Sequence, residues 1–561
     1  MNRGDRRRQK KLQSTPGHGL HLQSLVREGL AHHQAGRLQE AEQAYREVLR
    51  QEPQHSDALH LLGLLAYRVG KLDQAADLIG QAITQDTANA VYRFNLGVVL
   101  QKQGRLDQAV DAYRRAVTLN PSHVEAQGNL AILLREQNRY EDAVAACRQA
   151  LHVRPDYVEA HNTLGAALKD LGKLEEAVAS YERALQLNPN HVEALCNLGT
   201  ALREQGRLEE SVQTLERALA LKPGYAKAHH NVGLTYLWQE RLDDAFHALR
   251  RSAELQHNHG RPVGEAVILK SRLRHDAEQI DYLEKRELLK PEHAGYAAAL
   301  RGLAVRARED VDTVKRLSFG QAEMTALAPS FNRILHYADG PALPNGALNP
   351  ALDVPAIEAR YHASRPEILH VDDLLSAEAL DSLRRFCLES TIWKKDYENG
   401  YIGAMLGEGF ACPLLLQISE ELRQRFPRIF GHHRMTQAWS FKHDSLLRGL
   451  NIHADAAAVN VNFWITPDEA NLDPQSGGLE VWDKEAPREW NFKEYNSQKN
   501  EPKIREFLAR TGAQAVRVPY RQNRSVIFNS DLFHETDTLR FREGYEHRRI
   551  NVTMLYGFRL G

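Results

Sequence analysis

Residues 95–121 read NLGVVLQKQGRLDQAVDAYRRAVTLNP, and this stretch decides the fold of the first half of the chain. Its small residues Gly97, Gly104 and Ala109 and its closing Pro121 recur at intervals of 34 residues. The first of these positions is occupied in turn by Gly29, Gly63, Gly97, Ala131, Gly165, Gly199 and Gly233. A period of this length is typical of stacked helical hairpins, each of which buries its apolar face against its neighbours. The pattern therefore predicts an all-α solenoid.

The repeat resembles the tetratricopeptide repeat in its marker positions. A second small residue follows the first by seven positions, at Gly36, Gly70, Gly104, Asn138, Gly172 and Gly206. Prolines then end the second helix of most units, because proline cannot continue a helix. In the seventh unit Glu240 and His257 replace the glycine and the proline, which is typical of the end of a stack. We assign residues 22–257 to seven tetratricopeptide repeats.

Amide side chains recur two positions before the first small residue. They are Asn95, Asn129, Asn197 and Asn231, with Thr163 at the same position of the fifth repeat. This line resembles the asparagine ladder of O-linked N-acetylglucosamine transferases, in which amides bind the backbone of an extended peptide. The resemblance implies that the repeat groove binds a protein or peptide. A purely structural or oligomerising solenoid is the alternative.

Near the C-terminus, His453-Ala454-Asp455 is followed by Gly477-Gly478, by His534 and finally by Arg549. Side chains at positions i and i+2 of a β-strand point to the same side, so a strand would present His453 and Asp455 to one metal ion. Two imidazoles and one carboxylate, with other coordination positions open, are the ligands of non-haem Fe(II) oxygenases. The order of these residues therefore indicates an iron site.

The residues around these candidates alternate between apolar and polar, as in 459–465, 478–482 and 524–528, which predicts a surrounding sheet. Arg549, Asn551 and Thr553 would share one face of the last strand. A buried guanidinium needs an anionic partner, and a carboxylate can bind it with two hydrogen bonds. The neighbouring Arg548 is the alternative to Arg549 for this role.

This half of the chain resembles the Fe(II)/2-oxoglutarate-dependent dioxygenases, which have a double-stranded β-helix (jelly-roll) fold. The resemblance covers residues 365–561. It implies that His453, Asp455 and His534 bind Fe(II), and that O2 is a co-substrate. It also implies that Arg549 binds the distal carboxylate of 2-oxoglutarate, with Asn551 and Thr553 as weaker contacts.

The two resemblances together imply a hydroxylase whose repeats deliver a protein or peptide side chain to the iron. Two alternatives remain open. One is a small-molecule hydroxylase whose repeats only recruit partners. The other is a non-catalytic scaffold protein with an inert barrel.

The remaining segments connect these regions. Residues 1–21 are basic and are predicted to be a disordered tail. Residues 258–338 keep helical periodicity without the repeat markers and are predicted to be a helical spacer. Residues 339–364 are rich in proline and glycine and indicate a linker. The polar insertion 483–515 is either a lid over the site or a surface loop, and helical periodicity within it predicts a helix from Glu501 to Arg510.

The amino-acid composition limits the classes of partner that we expect. The net charge of −1 gives no electrostatic case for nucleic acid or an anionic membrane, and 42% hydrophobic residues are enough for sizeable cores. No apolar stretch is long enough for a transmembrane helix or a secretory signal, so we expect a cytoplasmic protein. The four cysteines lack metal-binding spacing and are expected to be reduced, structural thiols.

Overall fold

The computed structural model describes residues 16–257, 267–309, 315–443, 451–490 and 492–559 of the 561-residue chain. These residues form two compact units, the first ending at Asn197 and the second beginning at Leu198. Most of the predicted basic tail lies outside the described residues, and residues 16–21 belong to the first helix.

Fourteen helices follow one another between residues 16 and 257, and the prediction of an all-α N-terminal region is confirmed. Their bounds are α1 Pro16–Gln34, α2 Leu38–Gln51, α3 Ser56–Arg68, α4 Leu72–Gln85, α5 Ala90–Lys102, α6 Leu106–Leu119, α7 Val124–Glu136, α8 Tyr140–Val153, α9 Val158–Asp170, α10 Leu174–Leu187, α11 Val192–Glu204, α12 Leu208–Leu221, α13 Ala226–Trp238 and α14 Leu242–His257.

The two recurrent glycines of each hairpin, which lie seven residues apart, have different physical roles. A β carbon at Gly97 would lie 2.6 Å from the ring of Tyr113, so only glycine lets α5 approach α6 this closely. Gly104, in the turn between these helices, has a φ of 74°, a left-handed conformation that favours glycine. Asn138 and Glu240 adopt the same conformation with φ values of 60° and 64°. The 34-residue register therefore holds where the glycine is replaced.

The second unit adds helices and strands to the last repeats. Its further α-helices are α15 Lys270–Glu284, α16 Ala294–Glu309, α17 Gln321–Leu327, α18 Val354–Ala363, α19 Ala377–Glu389, α20 Pro413–Arg425, α21 Pro427–Phe430, α22 Phe492–Tyr495 and α23 Glu501–Arg510. Its strands are β1 Val267–Leu269, β2 Arg316–Ser318, β3 Ile368–Val371, β4 Lys395–Asp396, β5 Tyr401–Met405, β6 Met435–His443, β7 Val459–Trp464, β8 Leu479–Glu485, β9 Ala515–Val518, β10 Ser525–Asn529, β11 Leu532–Thr536 and β12 Ile550–Tyr556.

The strands form three antiparallel sheets. The largest has seven strands in the order β3-β10-β7-β12-β6-β5-β4, and a second has three in the order β11-β8-β9. Leu479, Val481 and Leu532 of the small sheet pack against Trp464 and Phe528 of the large one. The strands predicted at 459–465, 478–482 and 524–528 are all present. Two facing antiparallel sheets are the observed architecture, and the assignment to a double-stranded β-helix remains a prediction.

Strands β1 and β2 form a two-stranded ribbon within the predicted helical spacer. The described part of that segment also contains α15, α16 and α17, which the helical periodicity indicated. The ribbon strands are only three residues each. A period-two pattern cannot be recognised over so short a length.

The seventh repeat belongs to the second unit rather than to a separate solenoid domain that ends at residue 257. Leu237 and Leu249 lie in one hydrophobic core with residues of the sheet region. The indole Nε1 of Trp238 donates to the carbonyl of Met435, the first residue of β6, at 2.9 Å. Glu240 is 2.6 Å from Arg423 and 3.1 Å from Arg434.

The segment predicted as a linker, 339–364, is part of this core. Ala347 and Leu348 are almost fully buried, and both backbone N–H groups donate at 2.9 Å to the carboxylate of Glu421. Helix α18 occupies the end of the segment, with Asp353 as its N-cap. Proline and glycine interrupt helices and strands but do not determine exposure, because side chains elsewhere can satisfy the backbone. The assignment of a linker to residues 339–364 remains a prediction, and the structure shows that this segment is packed in the core.

Candidate metal centre

Three predicted ligands come together in the second unit. His453, Asp455 and His534 each offer one ligand atom, and these atoms lie within 4.8 Å of one another. The Nε2 of His453 is 3.9 Å from one carboxylate oxygen of Asp455, and the Nε2 of His534 is 3.4 Å from the other. Asp455 and His534 are buried. Side chains separated by about 80 positions in sequence thus share one small volume.

The local structure of the triplet differs from the expectation. His453 and Asp455 do not lie on a regular strand; they lie in the segment before β7, where His453 forms only an isolated bridge with His534. Tertiary hydrogen bonds hold this segment: the backbone N–H of His534 donates to the carbonyl of His453 at 2.7 Å, and that of Asp455 donates to Ser530 at 3.1 Å. The side chains converge because of these bonds, not because of strand pleating.

Both imidazoles are oriented by their own backbone neighbourhood. Nδ1 of His453 lies 2.8 Å from the carbonyl of Asn451, and Nδ1 of His534 lies 3.1 Å from the carbonyl of Leu532. A carbonyl can only accept, so each Nδ1 carries the proton and each Nε2 keeps its lone pair. This arrangement is the one that metal-binding histidines adopt. The residues present therefore fit a metal ion.

The protonation states also suit metal binding. Burial, and then the nearby His534, lower the pKa of His453 to about 4. Burial by itself raises the pKa of Asp455, but its contacts with His534, His453 and Asn460 outweigh this effect and hold the pKa below its ordinary value. At neutral pH the site therefore presents a neutral His453 and an ionised carboxylate, which are the ligand forms that metals require.

A cavity lies beside these residues, between the two larger sheets. It is small and partly open to solvent. Trp439 and Phe441 of β6 line one side, and Thr536 of β11 lines another. Arg549 also borders the cavity, together with Asn551 and Thr553. The metal ligands and the predicted anion-binding residues thus face the same space.

Arg549 is 1% exposed, and no carboxylate of the described residues is paired with it. Its Nε donates to the carbonyl of Gly477 at 2.7 Å and its Nη2 to that of Gly478 at 3.2 Å, whereas Nη1 has no hydrogen-bond partner among the residues described. Burial lowers the pKa of Arg549 to about 10, although Tyr520 and Asp537 oppose this shift. A buried cation with a bare N–H group is suited to an anionic ligand.

The glycine pair has a steric reason to be there. A β carbon at Gly478 would lie 1.8 Å from the carbonyl oxygen of Val518, and Gly477 has a φ of 81°. Only glycine permits both features, and the resulting backbone path brings two carbonyls to Arg549. In the sequence the glycine pair lies between the two predicted histidine ligands, but the sequence did not indicate that its carbonyls contact Arg549.

Arg548 points away from the cavity. Its Nε is 2.8 Å from Glu278 of α15, in an ion pair whose arginine side chain is 6% exposed. The two arginines lie just before β12, and their side chains have different partners: Glu278 for Arg548, and the carbonyls of Gly477 and Gly478 for Arg549. Of the two, Arg549 is the one that borders the cavity.

Asn551 and Thr553 face the cavity, but their hydrogen bonds are directed to the protein. The amide nitrogen of Asn551 donates to Asn462 at 2.9 Å, and the Thr553 hydroxyl donates to the same oxygen at 2.7 Å. The Asn551 amide oxygen is left without a partner among the described residues, and it can only accept. Neither group, as oriented, is a donor for a carboxylate.

Thr536, which lines the cavity, and His443, which lies next to Arg549, were not predicted as ligand contacts. The Thr536 hydroxyl borders the cavity without a hydrogen-bond partner in the described part of the chain. Thr536 follows His534 by two positions, so strand periodicity could have found it. His443, opposite Arg549, is buried with neither ring nitrogen bonded to a described residue. Burial, then the charge of Arg549, lower its pKa.

The insertion 483–515 packs against the segments that carry the predicted metal ligands. Ile504 and Leu508 of α23 and Tyr495 pack against Ile452 and Phe533, the residues next to the two histidines. The backbone N–H of Ala454 donates to the carbonyl of Tyr495 at 3.1 Å. Helix α23 has the predicted bounds, Glu501–Arg510. In this structure the insertion supports the ligand loop, and whether it also closes the cavity remains a prediction.

The recurrent asparagines of the repeats are engaged by side chains of the preceding repeat. In each case the amide nitrogen lies at hydrogen-bond distance: Asn95 to His60 at 2.8 Å, Asn129 to Tyr113 at 3.3 Å, Asn197 to Asn162 at 3.0 Å and Asn231 to Thr200 at 2.9 Å. These bonds link successive repeats. The groove-binding role of the amides remains a prediction.

Comparisons with known proteins bear on the N-terminal half. Residues 3–234, less than half of the chain, match the family model described as the cilia and flagella-associated protein 70 C-terminal domain, a tetratricopeptide-repeat model. No curated protein matches the chain.

Among solved structures, the chain is similar to the crystal structure of MamA at 24% identity, over 29% of this chain and 94% of that chain, with a TM-score of 0.28. It is similar to YrrB, titled a TPR protein with an unusual peptide-binding site, at 26% identity, over 33% and 95%, with a TM-score of 0.28. A tetratricopeptide repeat protein from Parabacteroides merdae is 20% identical over 42% and 94%, with a TM-score of 0.36.

The family match and the hairpin geometry agree on the first half of the chain, which is a tetratricopeptide-repeat region. Among the described residues, no helix combines the length and apolar character needed to cross a membrane.

Proposed function

We propose that residues 365–561 form a double-stranded β-helix domain with Fe(II)/2-oxoglutarate-dependent dioxygenase activity. The observation that carries this proposal is the convergence of His453, Asp455 and His534, with both Nε2 atoms turned toward the carboxylate. Two histidines and one carboxylate are the ligand set that leaves coordination positions open in non-haem Fe(II) oxygenases. The chemistry that iron and 2-oxoglutarate supply together converts C–H to C–OH while O2 is consumed and 2-oxoglutarate becomes succinate and CO2.

The polar residues around Arg549 support a dicarboxylate as the co-substrate. Arg549 Nη1 is buried and unpaired among the described residues, and the Thr536 hydroxyl at the same cavity is also without a partner. Leaving such donors unsatisfied costs free energy, typically about 1–3 kcal/mol for each group. A carboxylate oxygen would satisfy both. The cavity is thus suited to bind one end of 2-oxoglutarate at Arg549 and to direct the other end toward the histidines.

The protein contributes orientation and shielding. Carbonyls of Asn451 and Leu532 fix the imidazoles, and the apolar cluster of the insertion covers the ligand loop. The aromatic side chains of Trp439 and Phe441 keep one side of the cavity apolar. Such an environment excludes water from the reacting groups and strengthens electrostatic interactions inside the site.

A metal and co-substrate titration tests the proposed activity. Under anaerobic conditions, Fe(II) followed by 2-oxoglutarate should produce a visible charge-transfer absorption, and addition of O2 should yield succinate. His453→Ala, Asp455→Ala and His534→Ala should abolish both signals. His370→Ala, in the other His-x-Asp triplet of this domain, is the matched control and should retain them. A wild-type protein that gives neither absorption nor succinate would exclude this function.

We further propose that the tetratricopeptide repeats recruit the substrate, a protein or peptide. Amides at one position of four repeats support this idea, and tethering a substrate beside the active site raises its effective concentration. Mass spectrometry of cell extract incubated with the wild type and with Asp455→Ala should reveal peptides that gain one oxygen only with the wild type. If only metabolites gained oxygen, the small-molecule alternative would stand, and the repeats would serve to recruit partners.

A non-catalytic scaffold is the remaining candidate function. The tetratricopeptide repeats alone would be sufficient for such a role. It requires that the second unit bind neither metal nor 2-oxoglutarate. The same titration therefore decides between the enzyme and the scaffold.

A further inference from the structure

Two asparagines from different parts of the chain contact the carboxylate of Asp455. Asn460 of β7, which is fully buried, donates its amide Nδ2 to Oδ2 of Asp455 at 2.8 Å. Asn496, from the insertion, donates to Oδ1 at 3.4 Å and more closely, at 2.6 Å, to the carbonyl of Ala454. Of the two asparagine contacts, the short one is thus to Oδ2 and the long one is to Oδ1. Each oxygen also faces one histidine: Oδ2 lies 3.4 Å from Nε2 of His534, and Oδ1 lies 3.9 Å from Nε2 of His453.

The orientation of the Asn460 amide is itself fixed by its neighbours. Its Oδ1 accepts a hydrogen bond from the amide nitrogen of Asn462. Asn462 in turn accepts from Thr553 at 2.7 Å and from Asn551 at 2.9 Å. A rotation of the Asn460 amide would place two acceptors against each other at Asp455 and two donors at Asn462. The nitrogen of Asn460 therefore has to face the carboxylate.

We propose that Asn460 is a positioning residue that reserves Oδ2 of Asp455 and leaves Oδ1 to bind the metal. This inference rests on the proposed function, because it concerns how the same site holds its ion. A carboxylate that binds through one oxygen takes one coordination position, and one that binds through both takes two. Restricting Asp455 to one oxygen keeps a further position available to the co-substrate. Hydrogen bonds to a ligating carboxylate also tune metal affinity.

A buried carboxylate needs some hydrogen-bond donor in any fold, so the contact by itself would also occur in a purely structural role. One donor would satisfy the carboxylate, but the structure contains a longer row of hydrogen-bonded side chains, formed by Asn460, Asn462, Asn551 and Thr553. This row connects the ligand to β12, which directly follows Arg549, through side chains that are all buried. The prediction is that removal of Asn460 changes metal coordination and does more than lower stability.

Co(II) binding to the full-length protein provides the test, because the visible absorption of Co(II) reports the number and geometry of its ligands. Asn460→Ala should raise the Kd for Co(II) by roughly 10- to 100-fold and change the shape of its absorption bands. Asn471→Ala is the matched control: Asn471 is also a buried asparagine of this unit, and its amide donates to Ser476 at 3.2 Å rather than to Asp455. It should leave the Kd and spectrum unchanged.

Asn462→Ala gives an independent arm in case Asn460→Ala fails to fold. It removes the bond that orients Asn460 without touching Asp455, and should change the spectrum in the same direction with a smaller rise in Kd. Wild-type Kd and spectrum in a folded Asn460→Ala protein, or in Asn462→Ala if only that protein folds, would overturn the inference alone. Absence of Co(II) binding by the wild type would overturn the proposed function with it.

Discussion

At the scale of single residues, the two adjacent arginines are the sharpest contrast in the second unit. Arg549 is directed into the cavity with its Nη1 unpaired among described atoms, whereas Arg548 forms an ion pair with Glu278 on the other face. The alternation of side chains along the predicted last strand favoured Arg549 over Arg548 but could not decide between them. The direction of each side chain depends on how the strand pairs in the sheet. The register pairs Ile550 with Lys442, which sets the directions of both arginines.

Replacement of Arg549 by alanine should weaken 2-oxoglutarate binding. Loss of a charge-assisted hydrogen bond typically costs about 1.5–3 kcal/mol, which corresponds to roughly a 10- to 150-fold higher Kd. The measurement is an anaerobic titration with 2-oxoglutarate, followed by the visible absorption of the Fe(II) complex. Arg548→Ala is the control and should leave that Kd near the wild-type value. A large effect of Arg548→Ala with none of Arg549→Ala would reverse the assignment.

The limits of sequence reasoning are also clearest at this scale. That His453, Asp455, His534 and Arg549 lie close together could be predicted, because ligand chemistry restricts the residue types and their order; their role as ligands remains a prediction. The non-strand conformation of His453–Asp455 and the role of Asn460 could not be predicted. Both depend on hydrogen bonds between segments far apart in sequence, which no local pattern encodes.

At the scale of elements, the insertion 483–515 acts as a support for the ligand loop. Its helix α23 contributes Ile504 and Leu508 to a cluster that includes Ile452 and Phe533, the neighbours of His453 and His534. The amphipathic pattern predicted this helix with its correct bounds, because its period is local. The pattern could not show which surface the apolar face covers.

Ile504→Ala should therefore affect both stability and metal binding. Truncation of a fully buried isoleucine typically costs about 2–5 kcal/mol, and here the loss falls on residues that hold the two histidines. We expect a lower urea midpoint and a higher Kd for Co(II). Ile280→Ala is matched to it, since Ile280 is buried in a different cluster of the same unit. It should lower the midpoint and leave the Kd unchanged; equal Kd values for both variants would contradict the supporting role.

The connecting segments show where composition was misleading. Proline and glycine between 339 and 364 correctly indicated a break in regular structure before α18. They did not reveal that Gln417 and Glu421 of α20 bind this backbone and bury it. An extended segment can be part of a core whenever side chains elsewhere satisfy its polar groups.

At the scale of the whole molecule, the division at residue 197 predicts separable responses to mutation. Tyr113 is fully buried in the first unit, where its ring contacts Gly97. Trp238 lies in the second, bonded to Met435 and with Arg203 5.3 Å from the centre of its ring. Both are large aromatic side chains in repeat hairpins, but only Trp238 contacts the strand that lines the cavity.

Tyr113→Ala and Trp238→Ala should both lower stability, by about 3–5 kcal/mol for a buried aromatic side chain. We expect Co(II) to protect Tyr113→Ala and the wild type similarly against thermal loss of the metal-bound spectrum. Trp238→Ala should lose that spectrum at a lower temperature, because β6 is released from α13. Parallel loss in both variants would show that the two units unfold as one.

The 34-residue repeat was the most predictable feature of the molecule, because the same residue types recur at the same positions of each hairpin. The partition of the chain was the least predictable, because a repeat unit can pack against another repeat or against a sheet with the same apolar face. The sequence showed the difference of the seventh unit only in Glu240, which replaces the glycine, and in His257, which replaces the proline.

The replacement of the glycine by Glu240 has a structural consequence. It keeps the left-handed turn of its glycine counterparts while its carboxylate reaches Arg423 and Arg434. The seventh hairpin is thus fixed to the second unit by ion pairs as well as by its apolar core. Insertion or deletion of a whole 34-residue hairpin before Leu198 would therefore change the length of the solenoid and leave the residues around the cavity unchanged.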